Sequence, residues 1–221
     1  MKAVKMILVA ALAVIFSANA FAGDWRPLFC CDLSNAQYKE GVWTKDADGV
    51  LTASEDDSIW LPGEFENFEL SLEFKNDYHT NSGVLIYCTD IPNWIPNALE
   101  VQILDDSDLI KAGGKPENHC CGAIYGHVAP TKLVVKDPGE WNTMLVRCVG
   151  PIVEVTLNGE KITEMDMRLW TQKDKNPDGS GVPGHLGGPK CEAATKGAVG
   201  FQGKHGAASI YFRNVMIRDA E

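Results

Sequence analysis

A carboxylate and a carboxamide alternate along one strand-like segment, Asn97–Asp106, whose sequence is NALEVQILDD. Successive side chains of an extended strand point to opposite faces, so Glu100 and Gln102 share one face. The opposite face carries Val101 and Ile103. Polar side chains on such a strand either line a concave face that receives a ligand or are solvated positions on an open sheet. In a ligand-binding face, a carboxylate supplies a general acid or base and an amide supplies hydrogen bonds.

A second strand-like run, Asn81–Tyr87, lies just upstream and opens with small polar residues. Strict alternation places four of its residues on one face: Asn81, Gly83, Leu85 and Tyr87. We expect this strand and the one that carries Glu100 to form the floor of a sugar-binding site.

The first 22 residues have the pattern of a secretory signal peptide. Lys2 and Lys5 precede the apolar stretch Met6–Ser17, and the small-x-small cleavage signal Ala20-Phe21-Ala22 follows it. The apolar stretch is too short to be a good membrane span. We therefore expect cleavage before Gly23, which gives an exported, soluble protein that is periplasmic or secreted.

The charge balance excludes two classes of partner. Loss of Lys2 and Lys5 changes the formal net charge from −10 to −12, because 18 basic residues remain against 30 acidic ones. An acidic protein is a poor partner for the phosphates of nucleic acid or for anionic lipid. We predict no nucleic-acid partner and no membrane contact after signal cleavage, and a neutral or cationic small molecule fits better.

Cysteine spacing does not indicate a metal centre. No pair has CxxC spacing, and adjacent cysteines are not a zinc pattern. Buried thiols, or one or two disulfides in an oxidising compartment, are the interpretations that remain. The seven residues concerned are Cys30, Cys31, Cys88, Cys120, Cys121, Cys148 and Cys191.

Alternating apolar residues recur along the rest of the chain. Asn67–Lys75 alternates cleanly, Trp141–Leu157 holds two further strand-like runs, and Asn158-Gly159 is the dipeptide most typical of a hairpin turn. No apolar period of 3.6 residues is sustained, and the best helical candidate is one turn near Glu164–Trp170. Many strands without βαβ alternation predict an all-β fold, a jelly-roll sandwich of two antiparallel sheets.

Residues 23–221 are predicted to form a single domain with one unusual insertion. The segment 172–196 has five glycines and three prolines and little strand pattern. A loop of this length inside a compact domain is usually a functional lid or a disordered insertion. Because it precedes the strand-like run Gly197–Gly203, it is placed to close over whatever that strand presents.

Seven groups of residues in register resemble one known family, the 3-keto-disaccharide hydrolases. The similarity spans nearly the whole mature chain, from about Trp25 to Arg218. The motifs are Asn81-Ser82-Gly83, Glu100-Val101-Gln102-Ile103-Leu104-Asp105, Gly122-Ala123-Ile124-Tyr125, Glu140-Trp141-Asn142, Leu157-Asn158-Gly159, Gly200-Phe201-Gln202-Gly203-Lys204-His205-Gly206 and Phe212-Arg213-Asn214-Val215.

The resemblance implies a concanavalin A-like jelly roll whose concave face takes sugars. It also implies an exported bacterial enzyme that breaks the glycosidic bond of a sugar already oxidised at C3. Fold alone does not settle the activity, because related folds carry glucanases and lectins.

Conventional glycoside hydrolysis needs two carboxylates, roughly 5–5.5 Å or 6.5–9.5 Å apart. Glucanases of this fold usually carry both on one strand as E-x-D-x-E. Here the corresponding stretch is Glu100-x-Gln102-x-Leu104, and Asp105 at the strand end is an imperfect substitute. A 3-keto-sugar requires less, because its ketone acidifies the C2 proton and a single base then starts elimination of the C1 substituent.

Each candidate residue has a role in that route. Glu100 is the predicted base, and His119 and His205 are the predicted acid or electrophile. The other candidates contact the substrate: Gln102 and Gln202 through its hydroxyls, Lys204 near the keto oxygen, Tyr125 by stacking or proton donation, and Asn81 and Asp105 at the edges of the site.

Two other functions stay open at this point. The first is a non-catalytic carbohydrate-binding module on the same concave face, and the second is a conventional glucanase-type glycosidase. No cofactor is predicted. A divalent metal held by Glu100, the two histidines and aspartates is an option for stabilising an enediolate, although no spacing such as HExxH supports it.

Overall fold

A computed structural model describes residues 23–220, and the predicted signal peptide at residues 1–22 lies outside the described residues. The alternating segments form strands, which we number in chain order. They are β1 Arg26–Pro27, β2 Trp43–Lys45, β3 Leu51–Ala53, β4 Ile59–Phe65, β5 Phe68–Asn76, β6 Asn81–Cys88, β7 Leu99–Leu104, β8 Trp141–Val149, β9 Ile152–Leu157, β10 Glu160–Asp166, β11 Gly197–Phe201 and β12 Ile210–Asp219.

Helical structure is confined to short pieces. Two short α-helices flank β7, namely α1 at Trp94–Asn97 and α2 at Ser107–Lys111. Four 3-10 turns cover Ile91–Asn93, Met167–Leu169, Gly184–Leu186 and Lys190–Glu192. Within the described part of the chain, no helix is long and apolar enough to cross a membrane.

The strands form two antiparallel sheets. The larger sheet has the order β10-β9-β8-β5-β12-β3-β2, with β1 paired to β12, and the smaller has the order β4-β11-β6-β7. This architecture confirms the predicted jelly-roll sandwich. The Asn158-Gly159 turn joins β9 to β10 as predicted, with both residues at positive φ, the backbone that a tight hairpin turn requires.

The main hydrophobic core fills the space between the sheets. Phe68, Leu70, Leu72 and Phe74 alternate inward along β5 and are almost completely buried. The smaller sheet contributes the other side of this core, where the rings of Phe201 and Phe212 lie 4.8 Å apart. The smaller sheet therefore has one largely apolar face, and its outer face is the one available for a ligand.

A second, smaller hydrophobic cluster lies on that outer face. It consists of Trp60, Leu85, Cys88 and Ala198 and packs against residues of the Ile91–Asn97 segment. The predicted common face of β6 is wrong at Tyr87, whose φ of 56° turns its side chain into the main core. There its hydroxyl donates to the carbonyl of Gly150 at 2.9 Å.

The structure refines the predictions for the helical turn near Glu164–Trp170 and for the Gly/Pro-rich segment. The segment near Glu164–Trp170 continues β10 to Asp166, and only Met167–Leu169 forms a helical turn. The Gly/Pro-rich segment 172–196 has two 3-10 turns and no extended strand, and its buried Asn176 fixes it to the domain. All seven cysteines lie in the described part of the chain, and each is a free thiol.

Candidate active site

A cavity of about 740 Å³ lies over the outer face of the smaller sheet. Its floor comes from β4, β6, β7 and Gln202, which directly follows β11, and loops that leave these strands form its walls. The volume is in the range of pockets that hold small molecules. Its lining has polar side chains at one end and apolar side chains at the other.

The carboxylate of Glu100 lies directly over Gly83 on the adjacent strand. An added Cβ at Gly83 would stand 2.2 Å from Oε1 of Glu100 and 2.7 Å from its Cγ. The missing side chain at Gly83 is therefore what gives the carboxylate its place on the floor. Burial raises the pKa of Glu100 to about 8, and the negative charge of Asp56 adds to the effect.

Three amide side chains extend the polar floor beyond Glu100. Gln102 pairs with Gly83 across the strands, and its Nε2 lies 3.4 Å from Oδ1 of Asn81. The backbone of Gln202 continues this row, because its N–H donates to the carbonyl of Gly83. Oε1 of Gln102 is buried with no hydrogen-bond partner among the described residues. A ligand hydroxyl would satisfy that orphaned acceptor.

His205 enters the cavity from the loop after β11 and pairs with Asp56. Nδ1 of His205 lies 2.5 Å from Oδ2 of Asp56. Gly203 allows this approach, since an added Cβ there would lie 2.4 Å from the carbonyl oxygens of both Glu55 and Asp57. With Nδ1 committed to Asp56, Nε2 is the nitrogen left to contact a ligand.

A tight turn after β7 brings His127 to the opposite wall. The turn closes through the bridge between Ile124 and Val128. Nδ1 of His127 donates to the carbonyl of Tyr125 at 2.7 Å, which leaves Nε2 as an acceptor. Burial lowers the pKa of His127 to about 4, with a further contribution from the positive charge of Lys190. His127 is thus a neutral hydrogen-bonding group rather than an acid near pH 7.

The Gly/Pro-rich segment completes this wall. Asn176 accepts a hydrogen bond from Nε1 of Trp170 at 2.7 Å and donates to the carbonyl of Gly126 at 3.2 Å. Farther along, His185 and Leu186 line the cavity. The segment is therefore a fixed part of the site through buried hydrogen bonds to the turn that carries His127.

Six of the nine sequence-predicted site residues line this one cavity: Glu100, Asn81, Gln102, Tyr125, Gln202 and His205. The other three are not among its lining residues. His119 pairs with Glu117 at 3.3 Å on the surface. Asp105 uses its carboxylate to accept from the backbone N–H groups of His79 and Ser107, which fixes the chain at the end of β7. Lys204 bonds through its backbone N–H to Glu55.

Several lining residues have no role in the sequence-based account. Asp56, Asp57 and the aromatic pair Trp60 and Trp94 reach the cavity from loops and from β4, where no pattern marks them. His127 had one available signal: it stands two residues after Tyr125 and directly after a glycine, in a turn-forming context.

The donor set does not assemble a metal centre. Among residues 23–220, no three His, Cys, Asp or Glu side chains come together in a group that would hold an ion. Carboxyl groups outnumber amines in the lining of the cavity, with Glu100, Asp56 and Asp57 against Lys39, which is itself paired with Glu55 at 2.6 Å. Neutral ligands suit this field better than anions.

Comparisons with known proteins relate this chain to proteins that act on 3-keto-sugars. The family model of the 3-keto-alpha-glucoside-1,2-lyase-like domain matches residues 24–218. A "3-keto-disaccharide hydrolase" of Bacteroides thetaiotaomicron is 27% identical over 179 residues, which are 70% of this chain and 59% of that protein. The chain thus spans less than two thirds of the length of this relative.

Solved structures extend the comparison. A candidate glycosyl hydrolase from Parabacteroides distasonis is 53% identical, with a TM-score of 0.84 over 89% of this chain and 99% of that one. A Bacillus subtilis protein with a galectin-like fold is 14% identical, with a TM-score of 0.56 over 90% of this chain and 97% of that one. The latter likeness concerns the fold alone.

The buried carboxylate yields a prediction about stability. The folded-state pKa of Glu100, about 8, lies above its ordinary value of 4.5. The contribution of the protonated side chain to the free energy of unfolding is therefore fully present below pH 4.5 and is lost as the pH rises through about 8. Glu100→Gln should therefore leave the melting temperature nearly unchanged at pH 5 and raise it clearly at pH 9. Thermal unfolding of both proteins across this range measures the difference.

The matched control for this measurement is Glu40→Gln. Glu40 is an exposed carboxylate outside the cavity, so its variant should follow the wild type at every pH. Parallel melting curves for Glu100→Gln and the wild type up to pH 9 would contradict the burial of a raised-pKa carboxylate.

Proposed function

The chain belongs to the family of 3-keto-alpha-glucoside-1,2-lyase-like domains, and from this premise we propose that it cleaves the glycosidic bond of 3-keto-glycosides by removing the C2 proton. The observation that carries the proposal is the position of Glu100. It is a carboxylate seated over a glycine on the floor of a cavity lined by amides, and its raised pKa makes it a stronger base than an ordinary glutamate.

The reaction begins at C2. Glu100 takes the C2 proton, and the electrons of that C–H bond form an enediolate with the C3 ketone. Collapse of the enediolate makes the C1–C2 double bond and breaks the bond from C1 to the glycosidic oxygen, which leaves with a proton. The products are the free aglycone and a 1,2-unsaturated 3-ketose, and addition of water across that double bond gives net hydrolysis.

The remaining polar groups hold the sugar around its C3 oxygen. His205, held by Asp56 through Nδ1, presents Nε2 to the cavity beside the keto oxygen. Gln102 and Gln202 hold the sugar hydroxyls, and the unpartnered Oε1 of Gln102 accepts one of them. Neutral His127 accepts another through Nε2.

A conventional two-carboxylate glycosidase is the second candidate, and one observation favours it. Asp56 lines the same cavity as Glu100 and its charge acts on Glu100, so the site holds the second carboxylate that the strand itself lacks. In that mechanism Glu100, with its raised pKa, is the general acid. A binding module, the third candidate, requires neither group to be ionisable.

We also propose that the protein is exported. The support is the order of charged, apolar and small residues in positions 1–22. Expression of the full chain in a bacterial host, followed by cell fractionation and N-terminal sequencing, should give a periplasmic or secreted protein that begins at Gly23. An intact N-terminus in the cytoplasm would refute export.

Removal of the proposed base is the central test. Glu100→Gln should lower kcat on a 3-keto-glucoside by at least about 10³-fold, because the amide cannot take the C2 proton, while calorimetry still detects substrate binding. Glu40→Gln should retain wild-type kcat. A wild type that releases aglycone from an unoxidised glucoside at a similar rate would support the two-carboxylate mechanism, and binding without any turnover would support the binding module.

Deuterium oxide distinguishes the routes directly. Elimination followed by hydration places a solvent deuteron at C2 of the product, whereas direct hydrolysis retains the original proton. Nuclear magnetic resonance of the released sugar, with an enzyme-free sample as the control for spontaneous exchange, detects the label. Unlabelled product in the presence of enzyme would rule out deprotonation at C2.

The pH dependence provides a separate prediction. Because Glu100 must be ionised and its pKa is about 8, kcat/KM should fall about tenfold per pH unit below pH 8. Asp56→Asn removes a negative charge that raises this pKa, so the midpoint of the profile should move to lower pH even where the maximal rate drops. A midpoint that stays in place or moves up would contradict the coupling of Asp56 to Glu100.

A further inference from the structure

The floor of the cavity changes from polar to apolar along the strands, with Glu100 at the boundary. Strand register places Glu100 opposite Leu85, and Leu85 opposite Gly200, which in turn pairs with Trp60. Toward the carboxyl end of β7 the next row holds Gln102, Gly83 and Gln202, followed by Asn81 and His205. Toward its amino end Ala98 lines the floor and packs on the buried cluster of Cys88 and Ala198.

The apolar end has a wall of aromatic and aliphatic side chains from the Ile91–Asn97 segment. Trp60 lies buried against the backbone of Gly200, where an added Cβ would stand 2.5 Å from its ring. Trp94 packs against it, with ring centroids 6.3 Å apart and an angle of 57° between the planes. Ile95, which is 44% exposed, also lines the cavity. Apolar side chains left open beside a polar site mark a binding surface.

This gradient orients a substrate over Glu100. C2 of the sugar has two ring neighbours, the ketone carbon C3 on one side and the glycosidic carbon C1 on the other. The keto oxygen and the sugar hydroxyls need the hydrogen-bonding groups of Gln102, Gln202 and His205, so they occupy the polar end. With C2 over Glu100, C1 and its substituent then extend toward Trp94 and Ile95.

We propose that the apolar end is an aglycone subsite that prefers a neutral, planar apolar group, such as a benzyl ring, over a second sugar. The inference rests on the proposed cleavage of 3-keto-glycosides. A second sugar would bury several hydroxyls, and Ile91, Pro92, Ile95 and Ala98 have no side-chain group to pair with them, so only His185 and Gln37 at the margins of this end could meet any of them. The tilted rings of the two tryptophans instead offer the faces and edges that aromatic groups contact. The acidic cavity disfavours anionic aglycones.

The test compares methyl and benzyl 3-keto-glucosides, run for both anomers. Methanol and benzyl alcohol are similar leaving groups, so a difference in kcat/KM reports the subsite rather than leaving-group chemistry. The wild type should favour the benzyl compound by about 10-fold to 100-fold, the range expected for burial of one aromatic ring. It should also favour the benzyl compound over a 3-keto-disaccharide.

Variants locate the preference. Trp94→Ala should abolish the advantage of the benzyl compound and leave the methyl compound within about twofold of wild type. Ile95→Ala should reduce the same advantage. Because Ile95 is exposed and does not support the core, this variant tests the subsite even if Trp94→Ala misfolds. Trp25→Ala is the control, since Trp25 is exposed and stacks on Arg218 of the larger sheet, 4.5 Å away.

The outcomes separate this inference from the proposed function. A wild type that favours the disaccharide, or variants that lose activity equally on both glucosides, would overturn the aglycone subsite while cleavage itself stands. If no keto-glycoside is cleaved, the proposed function fails, and calorimetry with plain methyl and benzyl glucosides decides the subsite. Tighter benzyl binding that Trp94→Ala removes would support it, and equal binding of the two would overturn it.

Discussion

The site depends on the partial burial of one carboxylate against a backbone that has no side chain. Glu100 fits on the floor only because Gly83, its neighbour across the strands, leaves the space above the sheet open. Burying a carboxylate disfavours its charged form, and the raised pKa of Glu100 reflects that cost. The rest of the structure must hold the two strands rigidly enough that the carboxylate does not turn out to solvent.

The sandwich provides that rigidity through a division between its sheets. The inner face of the smaller sheet packs on Phe68, Leu70, Leu72 and Phe74 of β5, so its strands cannot shift without opening the core. The outer face is then free to carry polar groups, because the free energy of folding comes largely from the other face. The cavity walls come from loops held by specific hydrogen bonds, such as those of Asn176, rather than by a large core of their own.

Periodicity in the sequence predicts the strands and their faces, but it carries no information about the paths of the loops. Alternation is enough to put Glu100 and Gln102 on one face and to predict two antiparallel sheets. It fails at Tyr87, because a positive φ breaks alternation and no pattern marks such a residue. Lys204 stands inside one family motif and His119 shortly before another, yet neither lines the cavity. Asp56 and His127 arrive from loops whose paths depend on tertiary contacts.

Asp56 links two groups of the cavity that are far apart in the sequence. Its carboxylate accepts a hydrogen bond from His205, and its negative charge also raises the pKa of Glu100. The loop that carries Asp56 therefore sets both the direction in which His205 presents Nε2 and the basicity of the carboxylate that we propose as the base. A loop outside the strand pattern thus controls the chemistry of a residue that the strand pattern predicts.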